Sequence, residues 1–345
     1  MKDEIREKYR ILLGTPGENK RVGEMTEKEL LLGKTLKQMR EYRQISLEDL
    51  SKGICAPSDM TAMENGIKAS LLMTGAYLTR MGKSVNKFEF YSTNLEYEQQ
   101  CKRDNIIELW KTEKLAEAEK CLEEYDRQFR SKFCGCWSKW QKYCIMLREG
   151  KLPKEHEMIW KELTQQKLYF TQEEMDYLWE LAKLYEKKNE ADHVRKTYSL
   201  MYQNTMAAGA FLPQNGRGMD EERKLEILPE LCLCYGRFEH TQGRTKEAVR
   251  ILSTAITLLQ ESMRMKWLQE LLEERGKNYY ELWKNEGDGT AYEQVGRDIQ
   301  YLIALELVHG QRRSVLERIH WLRKEVKWEN IILDNLSIVP EKLSD

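Results

Sequence analysis

Proline is scarce in this chain: six occur in 345 residues, none of them between Pro57 and Pro153 or between Pro229 and Pro340. A proline inside a helix costs about 3 kcal/mol, so those two spans are open to long helices. Long apolar runs are absent as well. Nothing approaches the roughly 20 consecutive apolar residues that span a bilayer, and the opening MKDEIREKYR has mixed charge and no apolar stretch, unlike a signal peptide. The remaining addresses are the cytoplasm or the nucleus, with no membrane partner expected. An excess of one charge is missing too. Lys and Arg number 56 and Asp and Glu 57, for a net charge of −1, so any case for nucleic acid must rest on a local motif.

Catalytic and metal-binding patterns are equally thin. The eight cysteines include no C-x-x-C pair; the closest are Cys134 with Cys136 and Cys232 with Cys234. On a helix, residues two apart point to different faces, which suits neither a shared metal nor a local disulfide. They read as reduced thiols. The five histidines show no H-E-x-x-H spacing, and no G-x-S-x-G occurs. Gly33-Lys34-Thr35 echoes the end of a phosphate-binding loop, but the glycine that loop requires at position 28 is Lys28. The expectation is a protein without cofactor or metal, and not an enzyme.

What is present is helical periodicity. Apolar residues, 41% of the chain, recur at i, i+3, i+4 and i+7, as in Leu178, Leu181, Ala182 and Tyr185, and alternation with a period of two is hard to find. The fold is expected to be all-α. Residues 1–29 form a polar arm broken at Gly14 to Gly17, 30–90 a compact head, and 91–100 a linking helix. Helix pairs follow over 101–326, then a tail, 327–345, with an apolar cluster from Ile331 to Ile338.

Within the head, Leu32, Leu36 and Met39 share one stripe of a helix ending near Tyr42. Ser46 opens a second helix with Asp49 three residues on, a capping arrangement, and Leu47, Leu50 and Ile54 give it a buried side. Pro57 suits the first turn of a third helix, Met60 and Met63 point inward, and Gly66 suits a left-handed cap. This succession resembles the Cro/repressor-type (XRE) helix-turn-helix family, carried by Leu36 to Arg40, Ile45-Ser46 to Leu50-Ser51, Met60 to Gly66, and Met81 to Phe88 as the opening of a fifth helix. The chain departs from the family pattern at Leu47 and Pro57, where polar residues are usual.

The resemblance implies a five-helix head that places its third helix in the major groove of operator DNA. Ser58, Asp59, Thr61 and Ala62 would face the bases, and Lys68, Arg43 and Gln44 would meet phosphates. Arg40 and Glu64 match the family's internal ion pair.

Farther on, Gly236, Gly243, Ala248 and Ala255 fall at offsets 0, 7, 12 and 19. This resembles the tetratricopeptide repeat (TPR), in which small residues let two antiparallel helices touch. Ala182, Asn189, Val194 and Met201 keep the same offsets, Ala118 and Leu122 anchor an earlier copy, and Gly276 begins a later one. A capping helix is expected at 311–325. The implied fold is a right-handed α-solenoid.

A head of this family followed by such repeats resembles the peptide-pheromone-sensing regulators of Gram-positive bacteria, the Rgg, PlcR and NprR group. That implies a homodimeric transcription regulator in quorum sensing, controlled by a short signalling peptide in the concave groove of its repeats. The alternative is a regulator or scaffold whose repeats bind a protein partner. If Ala182, Gly236 and Gly276 are equivalent, the groove carries a basic row, Lys183, Arg237 and Lys277, and an acidic row, Asp176, Glu230 and Glu270. Trp179, Leu233, His240 and Tyr280 would lie between or beside these rows, with Asn204 and Asn278 as backbone amide contacts.

Overall fold

A computed structural model describes residues 27–67, 71–82, 94–166, 168–207 and 219–327. Among them there is no strand; the chain is all-α. Residues 1–26 of the arm, Lys68, the opening of the fifth head helix at 83–88 and the tail's apolar cluster lie outside the described residues; residues 27–29, expected in the arm, are helical. No helix among the described residues is long and apolar enough to cross a membrane, and none of the eight cysteines is disulfide-bonded.

Four head helices are described: α1 (Glu27–Tyr42), α2 (Leu47–Ser51), α3 (Pro57–Glu64) and α4 (Leu71–Arg80). The expected start signals are in place. Ser46 accepts the Asp49 N–H at 3.0 Å, and Pro57 occupies the first turn of α3. Leu36, Leu50, Met60, Met63, Tyr77 and Leu78 form the wholly buried core of the head. Gly33 explains itself here. A Cβ on it would lie 2.5 Å from the Glu64 carbonyl oxygen and 2.7 Å from that of Met63, so only glycine lets α1 cross the end of α3. The phosphate-loop echo is a packing requirement.

The chain divides into two compact units after Lys224, in the first turn of α11. The first unit continues with α5 (Asn94–Lys111), α6 (Leu115–Gln128), α7 (Lys132–Arg148), α8 (His156–Thr164), α9 (Gln172–Lys187) and α10 (Ala191–Met206). α5 runs without a break through the expected boundary at 100. The second unit holds most of α11 (Glu221–Thr241), then α12 (Thr245–Glu261), α13 (Leu268–Glu286), α14 (Gly289–Val308), α15 (Arg312–Trp321) and a short π-helical turn, Leu322–Val326. α11 begins eight residues before Pro229, which therefore sits inside the helix.

Four of the turns repeat one backbone design. The α9–α10 turn has Asn189 in the left-handed region (φ 58°) and Glu190 donating to the Tyr185 carbonyl at 2.9 Å; at α5–α6 these roles fall to Glu113 (φ 63°) and to Lys114 on Leu109, also 2.9 Å. In the second unit Gly243 (φ 70°) and Gly310 (φ 72°) turn the same way, with Arg244 donating to Glu239 and Gln311 to Glu306. Such caps satisfy carbonyls that a helix end would leave unpaired. Around each turn the offsets 0, 12 and 19 are buried: Ile106, Ala118 and Tyr125; Ala182, Val194 and Met201; Gly236, Ala248 and Ala255; Ile303, Val315 and Leu322. At the tightest crossing, a Cβ on Gly236 would lie 2.7 Å from Leu252 Cγ.

The copy begun at Gly276 needs correcting. Gly276 has ordinary van der Waals room, 3.6 Å to Ile299, and the following turn, at Gly287, comes eleven residues on instead of seven. The offsets return at Ile303, so the expected capping helix is the second member of an α14–α15 pair.

Candidate functional sites

The outward face of α3 is set by what lies behind it. Arg40 on α1 reaches Glu64 on α3 in a two-pronged contact, Nε to Oε1 at 2.5 Å and Nη2 to Oε2 at 2.8 Å, and also donates to the Ile45 carbonyl at 3.0 Å. From α4, Tyr77 donates its hydroxyl to Glu64 at 2.7 Å. The parallel fork geometry fixes direction as well as distance. Burial raises the Tyr77 pKa, and its bond to Glu64 adds to the rise, so Tyr77 stays a donor. Three helices thus converge on one carboxylate at the C-terminal end of α3.

On the other side of α3, Ser58 and Thr61 are exposed and Asp59 and Ala62 half-buried. Thr61 donates to the Pro57 carbonyl at 3.0 Å, and Asp59 accepts the Ala56 N–H at 3.4 Å. Gln44 is exposed in a left-handed turn (φ 53°). Arg43 departs from the expectation. Its side chain is buried and donates to the Met81 carbonyl, so it ties α1 to the end of α4 and presents no charge to a phosphate. Among the head's described side chains the exposed cations are Lys34, Lys37 and Lys52.

Also within the first unit, Arg80 at the end of α4 is fully buried and donates to Glu174 on α9 at 2.9 Å and to the Lys52 carbonyl at 2.8 Å. Glu174 in turn accepts the Thr171 N–H at 2.8 Å, which completes the capping box of α9. Gly82 passes so close to the Tyr169 ring that a Cβ would fall 2.3 Å from it. The head is therefore keyed onto the N-terminal end of α9.

The expected groove residues of this unit fare unequally. Lys183 is exposed and lies 2.9 Å from Glu180, which Arg148 also holds at 2.9 Å. Trp179 is half-buried against Tyr198, ring centroids 5.9 Å apart. Asp176 is buried, with one oxygen on Gln172 at 3.0 Å; burial outweighs the pull of Lys111 and of that bond, and its pKa is pushed up to about 6. Asn204 does not serve as an open amide contact. Its oxygen accepts from Phe170 N and its nitrogen donates to Leu168 O, both at 3.0 Å, so its amide pins 168–170 in place.

In the second unit α11, α13, α14 and α15 line an open cavity of about 570 Å³. His240, Lys277 and Tyr280 line it, as do Glu273, Glu281, Ile299, Ser314, Glu317, Arg318 and Trp321. Tyr280 and Trp321 meet with ring centroids 5.1 Å apart. His240 is bracketed by carboxylates, Nδ1 3.0 Å from Glu274 and Nε2 3.0 Å from Glu281. Burial lowers its pKa, but the bonds and charges of Glu281 and Glu274 outweigh burial and leave it raised. Arg237 reaches the same Glu274 at 3.3 Å. Leu233 and Asn278 are buried, and Asn278 donates to the Glu274 carbonyl at 2.8 Å, so it backs the cavity without opening onto it. Glu230 and Glu270 are exposed and away from the lining. The α15 contribution was missed from sequence; the signal was the 0, 7, 12, 19 spacing at Ile303, Gly310, Val315 and Leu322, which makes Arg318 and Trp321 residues of a paired helix.

No protein-family model matches the chain, and no curated protein matches it. Among solved structures it is similar to Bacillus thuringiensis PlcR, crystallised with the peptide PapR7 and DNA, at 16% identity and a TM-score of 0.40, covering 82% of this chain and 98% of that one. It is similar also to the Streptococcus dysgalactiae SHP pheromone receptor Rgg2, at 12% identity and a TM-score of 0.39, covering 85% of this chain and 99% of that one.

Proposed function

We propose that this chain is a cytoplasmic, homodimeric transcription regulator that reads operator DNA with α3 and is controlled by a short peptide held in its repeats. The observation that carries the reading is the Arg40–Glu64–Tyr77 junction. It fixes the C-terminal end of α3 and leaves Ser58 and Thr61 facing solvent with no packing duty, as a major-groove helix requires. The cavity in the second unit, mixed in aromatic and charged lining, supports the peptide half.

With Arg40 and Arg43 turned inward, the described cations left for phosphate contact are Lys34, Lys37 and Lys52, beside the Lys68 and Gln44 contacts that the family resemblance implies. About three contacts on each of two heads give a slope near −5 in log K against log salt, since each neutralised phosphate contributes about −0.9. Anisotropy titrations of the duplex upstream of the chain's own gene, against random duplexes, at several salt concentrations test this. Binding with such a slope, changed in sequence preference by Ser58→Ala, supports the reading; no salt-dependent binding to any duplex overturns it. Thermal-shift screening with short hydrophobic peptides encoded beside the gene tests the second half, and light scattering tests the dimer.

A further inference from the structure

The charged groups in and beside the cavity of the second unit are paired unequally. Its cations already have partners. Lys277 Nζ lies 3.2 Å from Glu273 and 3.8 Å from Glu274. Arg318 holds Glu306 at 2.8 Å and Glu273 at 3.2 Å. Arg237, beside them, is on Glu274. Three cations and three carboxylates thus pair with one another, with His240 added on Glu274, and an incoming anion would have to displace one of the carboxylates.

Glu281 stands outside that set. It is 46% exposed, lines the cavity, and pairs with His240 Nε2. The other ring nitrogen of His240 faces Glu274. Neutral, the imidazole carries one N–H and can donate to only one of the two carboxylates; protonated, as the flanking carboxylates favour, it is shared between both, so Glu281 has no permanent cation of its own. Neither Asn278 nor Glu306 lines the cavity, but Asn278 Oδ1 and Glu306 Oε2 are buried without a donor behind its wall, so acceptors exceed donors there before any ligand arrives. Beside Glu281, the Tyr280–Trp321 corner and Ile299 offer apolar surface.

We propose that this cavity binds a positively charged, amphipathic group: a basic side chain of a peptide, its charge on Glu281 and its methylene stem against Tyr280 and Trp321. The assignment of a peptide rests on the reading given under Proposed function; the preference for a cation rests on the pairing just described. Charge complementarity selects the occupant, because an acidic or neutral group would leave Glu281 as it is.

Calorimetry on the full chain separates the two. The probes are acetylated, amidated Leu-Arg-Leu, its isosteric citrulline analogue, the Leu-Glu-Leu counterpart, and agmatine as a cation with a methylene stem but no peptide backbone. The arginine peptide should bind about tenfold or more tightly than the citrulline peptide, the effect of one charge-assisted hydrogen bond. Glu281→Gln, a change at a half-exposed position, should abolish that ratio and leave the citrulline peptide unaffected. Agmatine binding lost in Glu281→Gln, with none of the peptides bound, upholds the cation site and rejects the peptide. Equal affinity for all three peptides, or an arginine-to-citrulline ratio unchanged in Glu281→Gln, overturns the charge preference and leaves the peptide reading standing. Binding of none of the four overturns both.

Discussion

Glu174→Gln is the most informative single change in the first unit, because it leaves a buried charge without its partner. Arg80 is wholly inaccessible, and its Nε and Nη1 have no acceptor even in the native chain. Glu174 supplies the neutralising charge at 2.9 Å, and the remaining bond, to the Lys52 carbonyl, cannot replace it. Removing one member of a buried pair costs about 3–5 kcal/mol, and the surviving backbone bond places this case near the lower end. Glutamine retains an oxygen for the Thr171 N–H, so the cap of α9 should survive and the loss should report the ion pair alone. For a unit of this size about 3 kcal/mol lowers Tm by roughly 6–12 °C, measurable by calorimetry. Adding Arg80→Met removes both the stranded charge and the two unpaired nitrogens, so the double variant should return to within about 1 kcal/mol of wild type. If Glu174→Gln alone changes stability by less than about 1 kcal/mol, or if the double variant is no more stable than the single one, the reasoning fails. Because the pair spans head and repeats, the single variant should also weaken any effect of a repeat-bound ligand on DNA affinity.

Gly33→Ala should cost about 2 kcal/mol or more, since the added Cβ meets backbone atoms of α3 that cannot rotate away; urea unfolding checks it, and an unchanged midpoint refutes it. Asp176→Asn should be stabilising at neutral pH. With the native carboxyl raised to about 6 from an ordinary value of 3.8, the group is protonated in both states at low pH and costs nothing. As pH rises through that window the folded state bears the desolvated charge, at roughly 3 kcal/mol above it. The variant should thus gain about 2–3 kcal/mol at pH 7 and nothing near pH 3.5, by unfolding at both; equal gains at the two pH values would contradict it. His240 has the opposite sign. Its raised pKa means that its contribution is complete below the ordinary histidine value of 6.5 and is lost as pH climbs through the higher folded value. His240→Gln should remove that part of the pH dependence, read from melting curves between pH 5.5 and 8.

Much of this protein is legible in its residues because helices are local objects. The caps at Ser46 and Thr171, the inward stripe of α3 and the small residues Gly236, Ala248 and Ala255 depend on neighbours within a few positions, where sequence spacing is spatial spacing. Arg40 and Glu64 were readable because a family pattern fixed their separation. Pairings at longer range had no such signal. With 56 cationic and 57 anionic side chains, spacing alone cannot choose Glu174 for Arg80, turn Arg43 inward to Met81, or close Asn204 on the backbone of 168–170. Nor could it bring Trp321 against Tyr280. Those choices follow from how helices pack, since desolvation makes a buried charge or amide take whichever partner the packed surfaces bring within about 3 Å. Sequence thus determined which residues would be helical and which would be small; tertiary structure alone decided which charges are structural and which remain for a ligand.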